Sequence, residues 1–570
     1  MKRFQWTSVF LIFLICTLLP FGSFAAASGD GGSEITATID SRPIFFDVAP
    51  QKINGRVMVP LRAIFESLGA EVGWEGSTQT ITGKKDGIVI TLRLNDTKAE
   101  IGGKSVPLDV APTKIEGRTF VPARFVAESF GTDVKWDESR KQVIISTGAA
   151  APDGRYYFVY NSQKVTTQDM ASIKLFANKF RQTRNVLLDA AQFKSAPQLY
   201  DALKSEQKKL GGKVAGIQIF GLASDVPSFT YTHKLKFFPA KAEWNGVEEN
   251  KDKKFVSDYL YSTFKNDSKY LNDVSVYGIV QENLPISVIP EWPVSRLPLT
   301  EGEIAEYIGN YDAYREQNEG KSVPTVAVSA PVEFQKGLDT AQDDVAFFLN
   351  RLKEDKEFGL FKNTDQRIHY KSLAANLTKE NKAGVMDLVV SGRGDKNGAS
   401  LKKDSMEYFF DRKSVVGLNA NYYTAFLWNF DAAADLDADS IVHDSLAKGK
   451  MINPIAHTIP QFGRGNLNSL WLPIPTPEGE TGDDWHGDVP VDKEHLKWDN
   501  PYFFVYKYYE AIGSGKTRLE SFFEANAAYA ALTVANKNTP RFLFGFEGMY
   551  SANSFEFLFS LHYLGLADYE

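Results

Sequence analysis

Two stretches near the N-terminus share one pattern of apolar and polar positions, and each predicts strands around a short helix. In the first, apolar residues recur at helical spacing between positions 61 and 68. Alternating, strand-like segments flank this helix, and an Asn-Gly or Glu-Gly pair marks a hairpin turn before it. Each stretch therefore predicts two strands, a helix and two strands, with the first strand ending at Pro50 or Pro112.

The two stretches are copies of one unit, offset by 62 residues. DVAPQKINGRVMVPLRAIFESLGAEVGWE begins at Asp47, and DVAPTKIEGRTFVPARFVAESFGTDVKWD begins at Asp109. Self-similarity at a fixed period indicates a repeated structural unit. Gly69 and Gly131 follow the two helices, where a left-handed residue is favoured.

This pattern resembles the tandem copper amine oxidase N-terminal-like domain, also called a stalk domain, over residues 36–147. The resemblance implies an α+β module of exported proteins that acts as a spacer or contacts a wall or a partner. Residues 36–147 contain no His and no Cys. Because copper prefers imidazole or sulfur ligands, we expect neither a metal site nor another cofactor.

A small-residue linker, 148–155, leads into a different region, 156–570. Residues 156–160 predict a strand and residues 166–182 a helix, and strands and helices alternate from there. This order predicts parallel crossover connections and an α/β domain with a mostly parallel sheet. The domain could consist of two subdomains. Residues 286–290, ISVIP, predict a further strand.

The motifs of this region resemble the gingipain-like cysteine peptidases, exported enzymes of caspase fold. LASDVPSF, FVSDYLYS and PEWPVSRLPL follow one another in that family's order between positions 222 and 299. In the family, one strand ends in Gly-His-Gly, which carries the catalytic base, and the next strand ends at the nucleophilic cysteine. The resemblance places Gly392-Arg393-Gly394 at the first position and Trp428 or Asn429 at the second.

The residues of this chain at both catalytic positions differ from those of the family. Arg393 cannot accept a proton near neutral pH, and neither Trp nor Asn supplies an activated nucleophile. We therefore interpret "SGRGD" as the remnant of a catalytic loop and its Arg-Gly-Asp as a coincidence, although an ordinary polar turn remains open. The candidate pocket residues are Asp225, Ser391, Gly392, Gly394 and His457.

Composition and the first residues indicate export. A basic start, an apolar run and small residues predict a signal peptide at 1–27, cleaved after Ala25 or Ala27. The only cysteine, Cys16, lies inside it, so the mature chain would have no thiol. Many cysteine-free exported proteins come from Gram-positive bacteria. A net charge of −7 does not favour nucleic-acid binding, and we expect no membrane span in the mature chain.

Two further motifs favour structural interpretations. GSGKT at 513–517 lacks the first glycine of a phosphate loop, which indicates a junction between two helices. The alternating aspartates at 435–439 lack the glycine and glutamate of a calcium loop, and Ser440 is placed to cap a helix.

These observations predict a secreted or surface protein without catalytic activity, a stalk module joined to a pseudo-peptidase that binds a cell-wall component or an extracellular protein. One alternative is an active hydrolase that uses Ser391 with a distant histidine. Another is a glycan-binding module built on aromatic side chains, namely Trp292, Trp428, Trp471 and Tyr422 or Tyr423.

Overall fold

The fold is an N-terminal β-rich module packed against a larger α/β domain. The computed structural model describes residues 35–233, 253–276, 279, 284–318, 325–329, 387–391, 393–400, 408–416, 422–428, 432–433, 436–458, 501–536 and 557–569. Among these residues, no helix combines the length and apolar character needed to cross a bilayer.

The N-terminal module contains thirteen short strands and two helices. Its strands are β1 Thr36–Ile39, β2 Arg42–Ile44, β3 Gln51–Ile53, β4 Arg56–Pro60, β5 Glu71–Glu75, β6 Thr80–Lys85, β7 Ile88–Arg93, β8 Lys98–Ile101, β9 Lys104–Pro107, β10 Thr113–Ile115, β11 Arg118–Pro122, β12 Asp133–Asp137 and β13 Gln142–Ser146. Its helices are α1 Leu61–Leu68 and α2 Ala123–Ser129.

The two copies of the 62-residue pattern pack against each other and are related by an approximate twofold axis. Strands β4 and β11 pair antiparallel with Val59 opposite Val121, the corresponding residue. Two ion pairs cross the axis reciprocally, Arg56 with Asp109 and Arg118 with Asp47. Reciprocal contacts between corresponding residues are the signature of an isologous interface, formed here within one chain.

The outer sheets exchange strands between the copies. One sheet has the order β12-β13-β1-β2, so the first strand of copy one pairs, in parallel, with the last strand of copy two. The opposite sheet, β5-β6-β7-β8-β9, has the same arrangement with β7 inserted between the two copies. Neither copy contains a complete outer sheet of its own.

Local signals set the turns and helix ends. Asn54 and Gly55 have φ of 49° and 76°, and Glu116 and Gly117 have 48° and 79°, which is the backbone of a tight hairpin turn. Gly69 ends α1 with φ 79°. The expectation that a strand ends at Pro50 or Pro112 is wrong. Each proline precedes a strand, because its missing N–H cannot join the ladder.

The first half of the large domain is a parallel sheet with the order β15-β14-β16-β20. Its strands are β14 Gly154–Tyr160, β15 Arg184–Asp189, β16 Lys213–Phe220 and β20 Val294–Leu297, and its helices are α3 Thr167–Asn178 and α4 Ala196–Leu210. Since β14 begins at Gly154, the predicted linker 148–155 is two residues too long. A three-stranded sheet, β18-β17-β19, lies beside it, formed by β17 Phe229–His233, β18 Lys253–Ser257 and β19 Val274–Ser275.

The strand predicted at 286–290 is absent from this described segment. Its backbone is held by side chains instead: Ser287 N–H donates to Asn266 Oδ1, and Val288 O accepts from Tyr259 Oη. Prolines at 290 and 293 flank the position where a ladder would continue, which favours this irregular path.

The second half is a mixed sheet with the order β21-β22-β26-β27-β28. All its pairs are parallel except β27–β28. Its strands are β21 Thr325–Ser329, β22 Asp387–Ser391, β26 Tyr422–Trp428, β27 Met451–His457 and β28 Leu561–Tyr563, and a small sheet contains β23 Arg393–Asp395, β24 Gly398–Ser400 and β25 Tyr408–Asp411. The helices are α5 Glu303–Asn318, α6 Arg412–Val416, α7 Ile441–Ala447, α8 Pro501–Gly513 and α9 Arg518–Asn536.

The two halves join edge to edge where β20 meets the end of β28. Arg296 and Leu564 form a parallel bridge, and Gly565 N–H donates to Arg296 O at 2.7 Å. The buried amide of Gln218 also crosses the seam, to Gly565 O and to the N–H of Ala567. The core is therefore continuous across both sheets.

The module is docked on the large domain through its first copy. The Arg42 guanidinium, 5% exposed, donates to Ser67 O at 2.9 Å and to Phe180 O at 3.1 Å. The Asn178 side chain accepts from Phe45 N–H at 2.9 Å and donates to Phe45 O at 2.7 Å. The joint is thus built from buried hydrogen bonds.

The second copy lacks the residues that make this joint. Lys104 stands 62 residues after Arg42, and Pro107 stands 62 residues after Phe45. Lysine has no planar fork to reach several carbonyls, and proline has no N–H for Asn178. These two differences explain why only one of the two similar faces carries the large domain.

Replacing Arg42 with the residue of the second copy tests this joint. We expect Arg42→Lys to lower the free energy of unfolding by about 1–3 kcal/mol, because buried carbonyls lose charged donors. Urea unfolding followed by tryptophan fluorescence measures the loss. Lys104→Arg, at the exposed corresponding position, is the control and should leave stability unchanged. If the two variants changed the free energy of unfolding equally, the proposed role of Arg42 in the joint would be wrong.

Candidate functional site

The ends of adjacent parallel strands bring the sequence-predicted residues together at one edge of the sheet. Ser391, the last residue of β22, is directly opposite Trp428, the last residue of β26. Arg393 follows Ser391 by two residues, so its backbone lies at the same edge. Gly392 and Asn429 lie outside the described residues. Carboxyl ends of parallel strands are where α/β sheets place their sites.

His457 extends this row onto β27. Its neighbour Ala456 is opposite Leu427, so His457 is level with Trp428. Its ring Nδ1 is 2.8 Å from Ser560 Oγ, a contact of the kind found between a catalytic base and a nucleophile. Both side chains are 0% exposed, so a substrate cannot reach this pair as it stands. The pair therefore ties β27 to the residues before β28.

The Arg-Gly-Asp residues form a strand. Gly394 lies between Arg393 and Asp395 in β23, which pairs with β24 as a hairpin. The Asp395 carboxylate accepts from Asn397 N–H and from Tyr408 Oη, each at 2.8 Å. An adhesion motif needs this carboxylate available to a receptor, whereas here it holds the hairpin together.

The strongest polar feature of this edge is a buried ion pair that the site prediction missed. Arg296 is 1% exposed and forms a two-pronged contact with Asp258, Nε to Oδ2 at 2.6 Å and Nη2 to Oδ1 at 2.8 Å. Its remaining protons go to the loop after β16, at Gly221 O, Leu222 O and Val226 O. One guanidinium thus fixes the loop, β20 and residue 258.

A histidine completes the network around Asp258. His562 Nε2 accepts from the Asp258 N–H at 3.2 Å, and Nδ1 is 2.8 Å from Ser560 O. Burial lowers the pKa of His562, so the ring is neutral with its proton on Nδ1. Burial works to raise the pKa of Asp258, but Arg296 outweighs it and holds this pKa below its usual value. Asp258 is therefore a fixed anion.

Asp225 lies on the loop that Arg296 holds. Its Oδ2 accepts from Leu222 N–H at 3.3 Å, and its carbonyl accepts from Asn161 Nδ2 at 2.7 Å. These bonds shape the loop and give Asp225 a structural part. Sequence gave a signal for the Arg296–Asp258 pair in the SDYLYS and VSRLPL motifs, but nothing local indicated that the two residues meet.

A groove of about 430 Å³ opens beside this loop. It runs between the loop after β16, strand β18 and the turn before α7. Lys254 and Asp437 put opposite charges on its walls. Its lining residues are Ala223, Ser224, Thr230, Lys254, Phe255, Val256, Leu436 and Asp437. Within the described ranges, no set of three or more His, Cys, Asp or Glu side chains is arranged to hold a metal ion.

A second charged contact joins helices α5 and α7 behind the edge. Glu303 Oε2 accepts from Thr300 N–H at 3.0 Å, which caps the start of α5, and lies 3.0 Å from His443 Nε2. Ser440 caps α7 by accepting from His443 N–H, as predicted. The hydrogen bond from His443 lowers the pKa of Glu303 to about 2.

Comparison with known proteins gives the class of the N-terminal module. Residues 38–145 match the family model of the copper amine oxidase N-terminal domain. Among curated proteins, a protease inhibitor from Brevibacillus choshinensis is 24% identical over 127 residues, which are 22% of this chain and 39% of that protein. The match thus spans well under half of the relative's length.

Three solved structures are similar to most of the chain. The arginine-specific cysteine proteinase gingipain R is 12% identical, with a TM-score of 0.41 over 72% of this chain and 77% of that one. The complex of Porphyromonas gingivalis RgpB pro- and mature domains is 12% identical, with a TM-score of 0.42 over 72% and 78%. A structure described as a protease is 11% identical, with a TM-score of 0.44 over 73% and 77%.

Neutralising Asp258 tests the ion pair. We expect Asp258→Asn to lower the free energy of unfolding by about 3–5 kcal/mol, because it leaves the Arg296 charge buried without its anion. Urea unfolding at pH 7 measures the change. Asp267→Asn removes an exposed ion pair with Lys269 and is the control, with no effect expected. If both variants lost a similar free energy of unfolding, the buried pair of Asp258 with Arg296 would be no more important for stability than an exposed ion pair.

Acid should weaken the contact between Glu303 and His443. A carboxyl whose folded pKa is about 2 stabilises the fold above its unfolded pKa of 4.5, and the contribution disappears as the pH falls through about 2. Melting temperatures between pH 2 and pH 6 should therefore fall less steeply for Glu303→Gln than for the wild type. Glu301→Gln, an exposed neighbour, should follow the wild type. Parallel curves for all three proteins would exclude this linkage.

Proposed function

We propose that this protein is exported and that its peptidase-like domain binds another extracellular protein without cleaving it. The observation that carries the proposal is the row formed by Ser391, Trp428 and His457 at adjoining strand ends. This is the edge at which an α/β enzyme holds its reacting groups. Here Trp428 is not a nucleophile, and His457 is 0% exposed.

The chemistry of each group supports a non-catalytic role. Covalent peptide cleavage needs an activated nucleophile and a base within reach of the substrate. The chain beyond Cys16 has no thiol, and Arg393 is a permanent cation. His457 is buried against Ser560, and His562 is engaged by the Asp258 N–H. These two histidines are thus committed to holding the fold.

The groove beside Lys254 supplies a surface for a partner. Strand β18 forms one wall of the groove and lies at the edge of its described sheet, where Val256 O already accepts from Thr458 Oγ1. An extended peptide can add to such an edge by main-chain hydrogen bonds. The relative named as a protease inhibitor makes an exported peptidase the first partner to test.

Activity and binding assays on the same protein test the proposal. We expect no cleavage in a broad library of fluorogenic peptides and no labelling by a serine-reactive probe. We also expect at least one secreted peptidase of a panel to bind in surface plasmon resonance. Lys254→Ala and Asp437→Ala should each weaken this binding about tenfold, because they remove charges from the groove wall.

Variants away from the groove separate the outcomes. Lys208→Ala, on the exposed end of α4, should bind as the wild type does. Cleavage that is lost in Ser391→Ala or Ser560→Ala would replace the proposal with an active hydrolase. Binding to purified cell wall that is unaffected by the groove variants would identify a wall-binding protein instead.

A further inference from the structure

The joint between the module and the large domain covers much of one carboxyl group, that of Glu66, whose side chain is half-buried. Glu66 lies on α1, next to Ser67 and one turn before Gly69, where Arg181 of the large domain lies against the module. A Cβ added at Gly69 would lie 1.9 Å from Arg181 Nη1 of the large domain. Glu66 Oε2 is buried and has no hydrogen-bond partner among the described residues.

The second copy shows that docking causes this burial. Glu128 occupies the position of Glu66, and its side chain is 58% exposed. A Cβ added at the corresponding Gly131 would meet no described atom within 4 Å. Because the helix, the glycine and the acid are the same in both copies, Glu66 would be as open as Glu128 if the large domain moved away.

Charged groups from both parts of the molecule surround Glu66, and Arg42 and Arg181 lie at the neighbouring residues Ser67 and Gly69. Lys179, after α3, and Arg62, on α1, favour the ionised carboxylate, whereas Asp312, on α5, and Asp47 oppose it. Lys179 already forms an ion pair with Asp312, so its charge is shared. Burial is the largest effect and raises the pKa of Glu66 to about 7.

We propose that the joint is a pH-responsive closure, firm while Glu66 is protonated and weakened when its carboxyl ionises in the buried position. The sign follows from linkage: a group whose pKa is higher in the closed state stabilises that state below its open-state pKa and loses this effect as the pH rises. The closing equilibrium should fall on the order of fiftyfold between pH 5 and pH 8, given an open-state value of 4.5. This inference does not depend on the binding function.

Hydrogen exchange at the joint measures the opening directly. The Phe45 N–H donates to Asn178 and is released only when the joint opens. Protection of the Phe45 N–H, corrected for the intrinsic exchange rate, should fall on the order of fiftyfold from pH 5 to pH 8 in the wild type. Glu66→Gln cannot ionise and should keep its protection across this range. Glu128→Gln, the matched control, should behave as the wild type does.

Strand β7 serves as the internal reference, because it belongs to the sheet away from the joint. Its protection should be equal in all three proteins, and if Glu66→Gln lowers it, Glu66→Ala replaces that variant with the same expectation. Identical pH profiles for the wild type and Glu66→Gln would overturn the proposal. So would a loss of protection in Glu66→Gln at pH 5, since the joint would then require the ionised carboxylate.

Discussion

The large domain depends on one buried charge. Arg296 stands where two sheets meet edge to edge, and its guanidinium satisfies three backbone carbonyls and the Asp258 carboxylate. Breaking such a pair leaves an uncompensated charge, whereas making it requires several groups to be in register at once. The pair therefore selects one arrangement of β20, the loop after β16 and the residues after β18. The groove beside that loop takes its shape from the same selection.

The N-terminal module adds a second constraint, which arises from near symmetry. Its two copies share their strands, their hairpin glycines and their reciprocal ion pairs, yet only one copy carries the large domain. The difference lies at Arg42 and Phe45, replaced by Lys104 and Pro107 in the second copy. A few hydrogen bonds thus determine which face of the nearly symmetric module carries the large domain. They also place Glu66 in an environment that Glu128 does not share. Helix α1 of the module packs on α3 of the large domain.

The sequence predicted the structural features that depend on the local pattern of apolar and polar residues. The helices, the cap at Ser440 and the junction between α8 and α9 follow from neighbouring residues. The module's family match confirms the resemblance read from its glycines and prolines. The wrong prediction of a strand at ISVIP involves residues distant in sequence. The segment has strand-like residues, but its backbone forms hydrogen bonds with the side chains of Asn266 and Tyr259. For the candidate site, strand order placed Ser391 and Trp428 at one edge, but the contact of buried His457 with Ser560 and the pairing of Arg296 with Asp258 join residues 103 and 38 positions apart in the chain.

The strand exchange between the two copies has a consequence for how the chain acquires its structure. The β1 segment emerges first from any N-to-C synthesis or export, yet one of its neighbours, β13, begins at residue 142. The first outer sheet must therefore wait for more than a hundred residues before its order is complete. Contacts so far apart slow folding and expose an unsatisfied edge meanwhile. The module should consequently assemble as one cooperative block, with half of it alone unable to persist.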